Sequence, residues 1–120
     1  MSQAIADAMR AIMLRAVDGT EAGVVAAAAL MADDLRMWQQ GTGWVGKADK
    51  IAAWSKMRGA PMPTQIHTLV VSGEQIAVEA VVTTPAGAML VSLFARFRDG
   101  LMIGGREYFI PAPPADVFRG

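Results

Sequence analysis

The chain has 120 residues, 53% hydrophobic and 18% charged, with eleven basic residues balancing eleven acidic ones. That length and composition describe one globular domain, residues 1–120, with a sizeable core. The zero net charge gives no field to draw the chain to nucleic acid or to an anionic membrane. With no cysteine and a single histidine, disulfides, thiolate metal sites and all-histidine metal sites are excluded, and no metal or cofactor is expected.

Helices come first along the chain. Ser2 is placed to cap a helix whose apolar residues Ile5, Ala8, Met9, Ile12, Met13, Ala16 and Val17 recur every three or four positions. Gly19 ends it, and Thr20 caps a second helix with Glu21 in its first turn, against the dipole. This helix should run to about Met31, and its alanine tract, Ala26 to Ala29, lets a neighbour approach closely. Asp33-Asp34 interrupts it, Leu35 to Gln39 reads as a short strand, and Gln40 to Gly43 as a loop. The spacing of Ile51, Trp54 and Met57 predicts a third helix from about Lys47 to Arg58, ended by Gly59, Pro61 and Pro63. The longest apolar run, Ala22 to Ala32, is too short to span a bilayer. Asp7 and Arg10 break any signal-peptide order near the N-terminus, so a cytoplasmic protein is expected.

From Thr64 onward the pattern is β. Four runs, Ile66–Ser72, Gln75–Thr84, Ala88–Arg98 and Leu101–Ile110, are joined by Gly73-Glu74, Pro85-Ala86-Gly87 and Asp99-Gly100. Connections this short make neighbours antiparallel and adjacent, a meander, and Asp-Gly marks a type I′ hairpin. Helices followed by an antiparallel sheet are the α+β pattern. The proline-rich tail is expected to be extended.

Taken in order, two helices, "LMADDLRMWQQGTGWVGKADKIAAW", and a meander ending "FRDGLMIGGREYF" resemble the nuclear transport factor 2-like superfamily. Within it the chain is most similar to the SnoaL-like polyketide cyclases and the ketosteroid isomerase relatives. The residues that carry the likeness are the acidic pair after the second helix, the Gly41-to-Lys47 entry to the third, and the Asp-Gly hairpin before Arg106-Glu107-Tyr108. The resemblance implies a cone-shaped α+β barrel of the cystatin-like kind, a curved sheet wrapped around the N-terminal helices with a pocket at its open end. Such a fold hosts isomerases, cyclases, dehydratases, epoxide hydrolases and binding domains, so it does not decide function.

Two-residue turns at Gly73-Glu74 and Asp99-Gly100, with Ala86 midway in the loop between, give an expected strand register. They set Leu93 opposite Arg106, Val91 opposite Tyr108, Val78 opposite Leu93 and His67 opposite Ala80. Alternation then gathers His67, Leu69, Val78, Ala80, Val82, Met89, Val91, Leu93, Arg106 and Tyr108 on one face. Three polar groups converging on an aliphatic wall have the composition of a small-molecule site. Their plain structural alternatives are an arginine snorkelling to the rim, a tyrosine satisfying a carbonyl and a core histidine. Val78, Met89, Val91 and Leu93 would form the wall, Trp38 or Trp44 would stand near the mouth, and Gln39 would reach the same space. Trp54 is assigned to the core, whereas nine methionines suit an adaptable wall or an irregular core equally.

The resemblance sharpens the chemistry. Ketosteroid isomerases carry a base aspartate at the end of the first strand, where Gln39-Gln40 stand here, and an acid on the strand before the last, where Leu93 stands. Isomerisation by that route is therefore not implied. The epoxide-hydrolysing relatives need an Asp-Arg-Asp set on neighbouring strands, and the third strand offers only Glu79. Polyketide cyclases abstract an acidic proton, for which one base suffices, and His67 is the side chain suited to it near neutral pH. Arg106 would then hold an enolate or carboxylate, with Tyr108 donating to the same oxygen.

The opposite face is too apolar for a solvated sheet surface. Val81, Leu90, Phe94, Ile103 and Phe109 together predict a homodimer through it, unless the tail with Val117 and Phe118 folds back to cover it. The expected function is binding of a small molecule in an apolar pocket. It would be coupled to a cofactor-independent, isomerase-, cyclase- or lyase-like proton abstraction next to a carbonyl, or else be non-catalytic binding or assembly.

Overall fold

The computed structural model describes residues 2–119. Three helices, α1 (Ser2–Arg15), α2 (Glu21–Ala28) and α3 (Lys47–Ser55), accompany six strands. The strands are β1 (Met31–Gln39), β2 (Gly43–Gly46), β3 (Thr64–Ser72), β4 (Gln75–Thr84), β5 (Gly87–Arg98) and β6 (Leu101–Pro111). The capping role read for Ser2 falls on a side chain outside the described residues. Thr20 does cap α2: its Oγ1 accepts from the Gly23 amide at 2.9 Å. Asp18 in turn accepts from the Thr20 hydroxyl and amide, and these bonds hold its carboxyl below the usual aspartate range.

The strands form one curved, open sheet in the order β2-β1-β6-β5-β4-β3. The meander is as the short connections require: β3 to β6 are consecutive antiparallel neighbours. Asp99 and Gly100 both take positive φ, 53° and 80°, which is the type I′ hairpin. Two features lie beyond the sequence reading. β1 starts at Met31, where a helix end was expected, and pairs parallel with β6. The supposed glycine loop supplies β2, antiparallel to β1 with Trp38 opposite Trp44.

Alternation holds along β4 and β5, where Val78 faces Leu93 and Ala80 faces Val91 as expected. Within the meander it fails at two bulges. On β6, Arg96 pairs with Gly104 and Phe97 with Met102, so Ile103 is an extra residue. A bulge shifts every later side chain to the other face. Leu93 therefore faces Glu107 and Val91 faces Phe109, whereas Arg106 sits opposite Phe94 and Tyr108 opposite Ser92. On β3, His67 is the extra residue between Ile66, opposite Ala80, and Thr68, opposite Glu79.

Glycines allow β6 to bulge. Gly105 has a φ of 154°, and a Cβ there would collide with the Phe94 carbonyl oxygen and the Ala95 Cα of β5. At Gly104 a Cβ would lie 2.9 Å from the Arg36 carbonyl oxygen of β1. The inner face of the sheet and α1 then bury Met9, Ile12, Met31, Leu35, Met37, Ile76, Val78, Ala80, Val91, Leu93, Ala95, Phe97 and Met102 in one cluster. The tail is not extended throughout, because Ala115–Arg119 forms a 3-10 turn.

Gly105→Ala should therefore combine backbone strain with overpacking and destabilise the protein by about 3 kcal/mol or more, read as a lower urea midpoint at unchanged m-value.

Candidate functional site

Between α1, α3 and the inner face of the sheet lies an open cavity of about 240 Å³. Its wall is mainly apolar: Ile12, Ala16 and Val17 from α1 and the segment after it, Val45 from β2, Val82 from β4, Val91 and Leu93 from β5, and Phe109 from β6. Six methionines, Met13, Met37, Met57, Met62, Met89 and Met102, complete it. Unbranched thioethers adapt to differently shaped occupants, so most of the chain's methionines belong to this wall.

Against it stands one polar cluster. Lys50, on α3, is 6% exposed and is the buried charged residue among those described. Its Nζ donates to Glu107 Oε1 at 2.5 Å, and the Glu107 side chain is 13% exposed. Gln39, at the end of β1, donates through Nε2 to the same oxygen at 3.3 Å. Both bonds fall on Oε1, and Oε2 has no hydrogen-bond partner among the described residues. Trp54 turns its ring toward the ammonium, 5.9 Å from its centroid; it packs against the core cluster, as expected, and also lines the cavity.

Local structure sets each of these groups. α3 ends at Ser55 rather than at Arg58; it turns Lys50 and Trp54 to the cavity, and Met57 reaches it from the turn that follows. Asp49 also borders the cavity, but its Oδ2 accepts the Gly46 amide at 2.8 Å and so starts the helix. Glu107 is turned inward by the bulge at Ile103. The end of β6 is held by Gln40, whose amide donates to the Glu107 carbonyl and whose Oε1 accepts from the Phe109 amide.

Of the residues read from the sequence, Gln39, Met89, Val91 and Leu93 line this cavity. Val78 points to the same side but is sealed in the core. Arg106 and Tyr108 do not reach the cavity. They lie on the outer face, Arg106 over the Phe94 ring at 4.6 Å and Tyr108 against Trp38 with centroids 5.7 Å apart. Trp38 and Trp44 line that outer depression, with Arg36 stacked 4.4 Å above the Trp44 ring. His67 joins neither group and stacks on Phe118 of the tail, 4.0 Å between centroids. The expected trio is thus dispersed, and one physical cause is the added residue in β6. Phe109, expected on the outer face, lines the cavity for the same reason.

Sequence reasoning missed Lys50 and Glu107. The signals were present: Lys50 shares the spacing of Trp54 and Met57, and paired glycines inside a strand mark a bulge. Among the described residues no three carboxylate or imidazole side chains are grouped as metal ligands would be.

The comparisons concern fold alone. No protein-family model matches the sequence, and no curated protein does. Solved structures match over nearly the whole chain. An NTF-2-like protein of unknown function from Burkholderia xenovorans is 18% identical, with a TM-score of 0.76 over 96% of this chain and 91% of that one. A candidate ketosteroid isomerase from Kribbella flavida is 20% identical, with a TM-score of 0.75 over 96% and 86%. A candidate SnoaL-like polyketide cyclase from Jannaschia is 14% identical, with a TM-score of 0.71 over 94% and 95%. The chain has the nuclear transport factor 2-like fold that its sequence resembles.

A buried charge left without its partner costs about 3–5 kcal/mol, whereas replacing both members by apolar groups is close to neutral. Lys50→Met and Glu107→Leu should each lower stability by that order, and the double variant should regain most of it in a urea-unfolding cycle.

Proposed function

We propose that this protein binds a small carbonyl compound in the cavity between α1, α3 and the sheet, and removes a proton from the carbon next to the carbonyl. The observation that supports this reading is a part-buried carboxylate held beside a buried ammonium in a mainly apolar cavity. Glu107 is the base. Its Oε1 is engaged by Lys50 and Gln39, and Oε2 is the oxygen that accepts the proton. An ammonium carries three donors, so Lys50 can hold Glu107 and still face the substrate oxygen on which enolate charge develops. A site of about 240 Å³ suits a one- or two-ring compound, and the methionine wall tolerates differences in shape. The fold is also that of a candidate isomerase and a candidate cyclase. Non-catalytic binding in the same cavity is the competing outcome.

The base assignment is tested with acetophenone in D2O. Its methyl proton signal should decay faster with the protein than in buffer, and Glu107→Gln should slow that decay about 100-fold or more. Binding of acetophenone with no exchange above buffer would make this a binding module.

The outer face supports a second, separate element of the proposal, a homodimer. Val70, Phe94, Tyr108 and Ile110 are all exposed on it, a combination soluble monomers seldom display. Val81 and Leu90 lie on the same face, Leu90 already buried and Val81 partly so. Sedimentation at micromolar concentration should give a dimer, and Phe94→Glu should give a folded monomer. A monomeric wild type refutes the interface.

A further inference from the structure

We propose that Lys50 is a nucleophile, and that the protein takes its aldehyde or ketone substrates as imines on the Lys50 Nζ. This rests on the carbonyl-compound reading above and makes the hold on the carbonyl covalent. Three placements carry it. The amine is buried against a mainly apolar cavity that is open to a ligand, so a carbonyl carbon can approach it. A proton acceptor, Glu107 Oε1, lies 2.5 Å from it. The remaining oxygen of the same carboxylate is free of protein partners, so one side chain can serve nitrogen and carbon in turn.

The chemistry balances within that pair. The Lys50 ammonium passes one proton to Glu107, which leaves an uncharged amine and an uncharged acid in the cavity. The nitrogen lone pair attacks the carbonyl carbon, and the C=O π pair moves to oxygen. A proton shifts from nitrogen to that oxygen and gives the carbinolamine. Glu107 returns its proton to the hydroxyl, the C–O bond breaks, and water leaves as nitrogen forms the C=N bond. The products are an iminium on Lys50, a Glu107 carboxylate and one water. The iminium is a stronger electron sink than the carbonyl it replaces. Glu107 then takes the neighbouring C–H proton, and the electron pair flows into an enamine. Trp54, facing the nitrogen, offers its ring to the cation at each stage.

The other lysines provide internal controls. The chain has only Lys47, Lys50 and Lys56. Lys47 donates to the Met31 carbonyl and to Asp33 at the surface, and Lys56 is exposed after α3. The wild-type protein is incubated with limiting benzaldehyde and sodium cyanoborohydride, and benzyl adducts are mapped by peptide mass spectrometry. Lys50 should be labelled at least tenfold faster than Lys47 or Lys56, and benzyl alcohol in excess should suppress that labelling alone. Labelling of Lys50 no faster than Lys56 overturns the proposal, whatever the behaviour of any variant.

Acetophenone exchange separates this inference from the reading beneath it. Lys50→Arg keeps the positive charge but forms no imine, so exchange should fall to the buffer rate. Undiminished exchange in that variant overturns the imine and leaves proton abstraction by Glu107 standing. Selective trapping at Lys50 without any wild-type exchange supports the imine and removes the proton-abstraction step instead.

Discussion

The bond between Lys50 and Glu107 ties the middle of α3 to the far end of β6 across the cavity. Two charges withdrawn from water keep each other there, because separation would leave either one uncompensated in an apolar surrounding. The helix cannot slide toward the sheet without moving the ammonium, nor away from it without losing the carboxylate. The walls of an apolar cavity tend to relax inward in part. Here a polar strut limits that collapse, and flexible methionines fill the space around it only loosely.

That strut depends on backbone geometry several residues away. Ile103 is an additional residue in β6, and Gly104-Gly105 let the strand come within contact of β1 and β5 while it bends. Without the bulge, Arg106 and Tyr108 would face the cavity and Glu107 would face outward. The site would then present a guanidinium and a phenol to the methionines, and Lys50 would have no acid. One inserted residue thus decides the sign of charge that the sheet presents inside the cone.

This explains which parts were legible in the sequence. Parity survives two-residue turns, so Val78, Val91 and Leu93 could be assigned to one face from alternation alone. A bulge carries no turn residue, and the count past Ile103 is lost unless the glycine pair is read as a bulge rather than as flexibility. His67 misleads in the same way, since it is itself the extra residue of β3 and its ring goes to Phe118. The tail's prolines point to an extended chain while its Val117 and Phe118 point to a fold back, and it is Phe118, in a short 3-10 turn, that returns to stack on His67. β2 is hidden for another reason: its two strand formers, Trp44 and Val45, stand between glycines that read as loop, and the segment pairs because β1 lies beside it. Helical spacing is robust to such local insertions, so the direction of Trp54 and Met57 was readable, and that of Lys50 with them.

The parallel pairing of β1 with β6 has a kinetic meaning. Gln39 and Glu107 are 68 positions apart, and nothing local brings them together. The hairpins of the meander close over short loops, whereas this seam must wait for almost the entire chain to be collected, the slow kind of event in folding. The polar wall therefore exists only where β1 has docked on β6, because Gln39 and Glu107 stand on those two strands. A molecule that recognises Gln39 and Glu107 together can select only the finished protein. Its binding free energy is added to the cooperative stability of the whole chain rather than to one loop. Such a molecule would act as a pharmacological chaperone, drawing the chain toward its folded state by mass action.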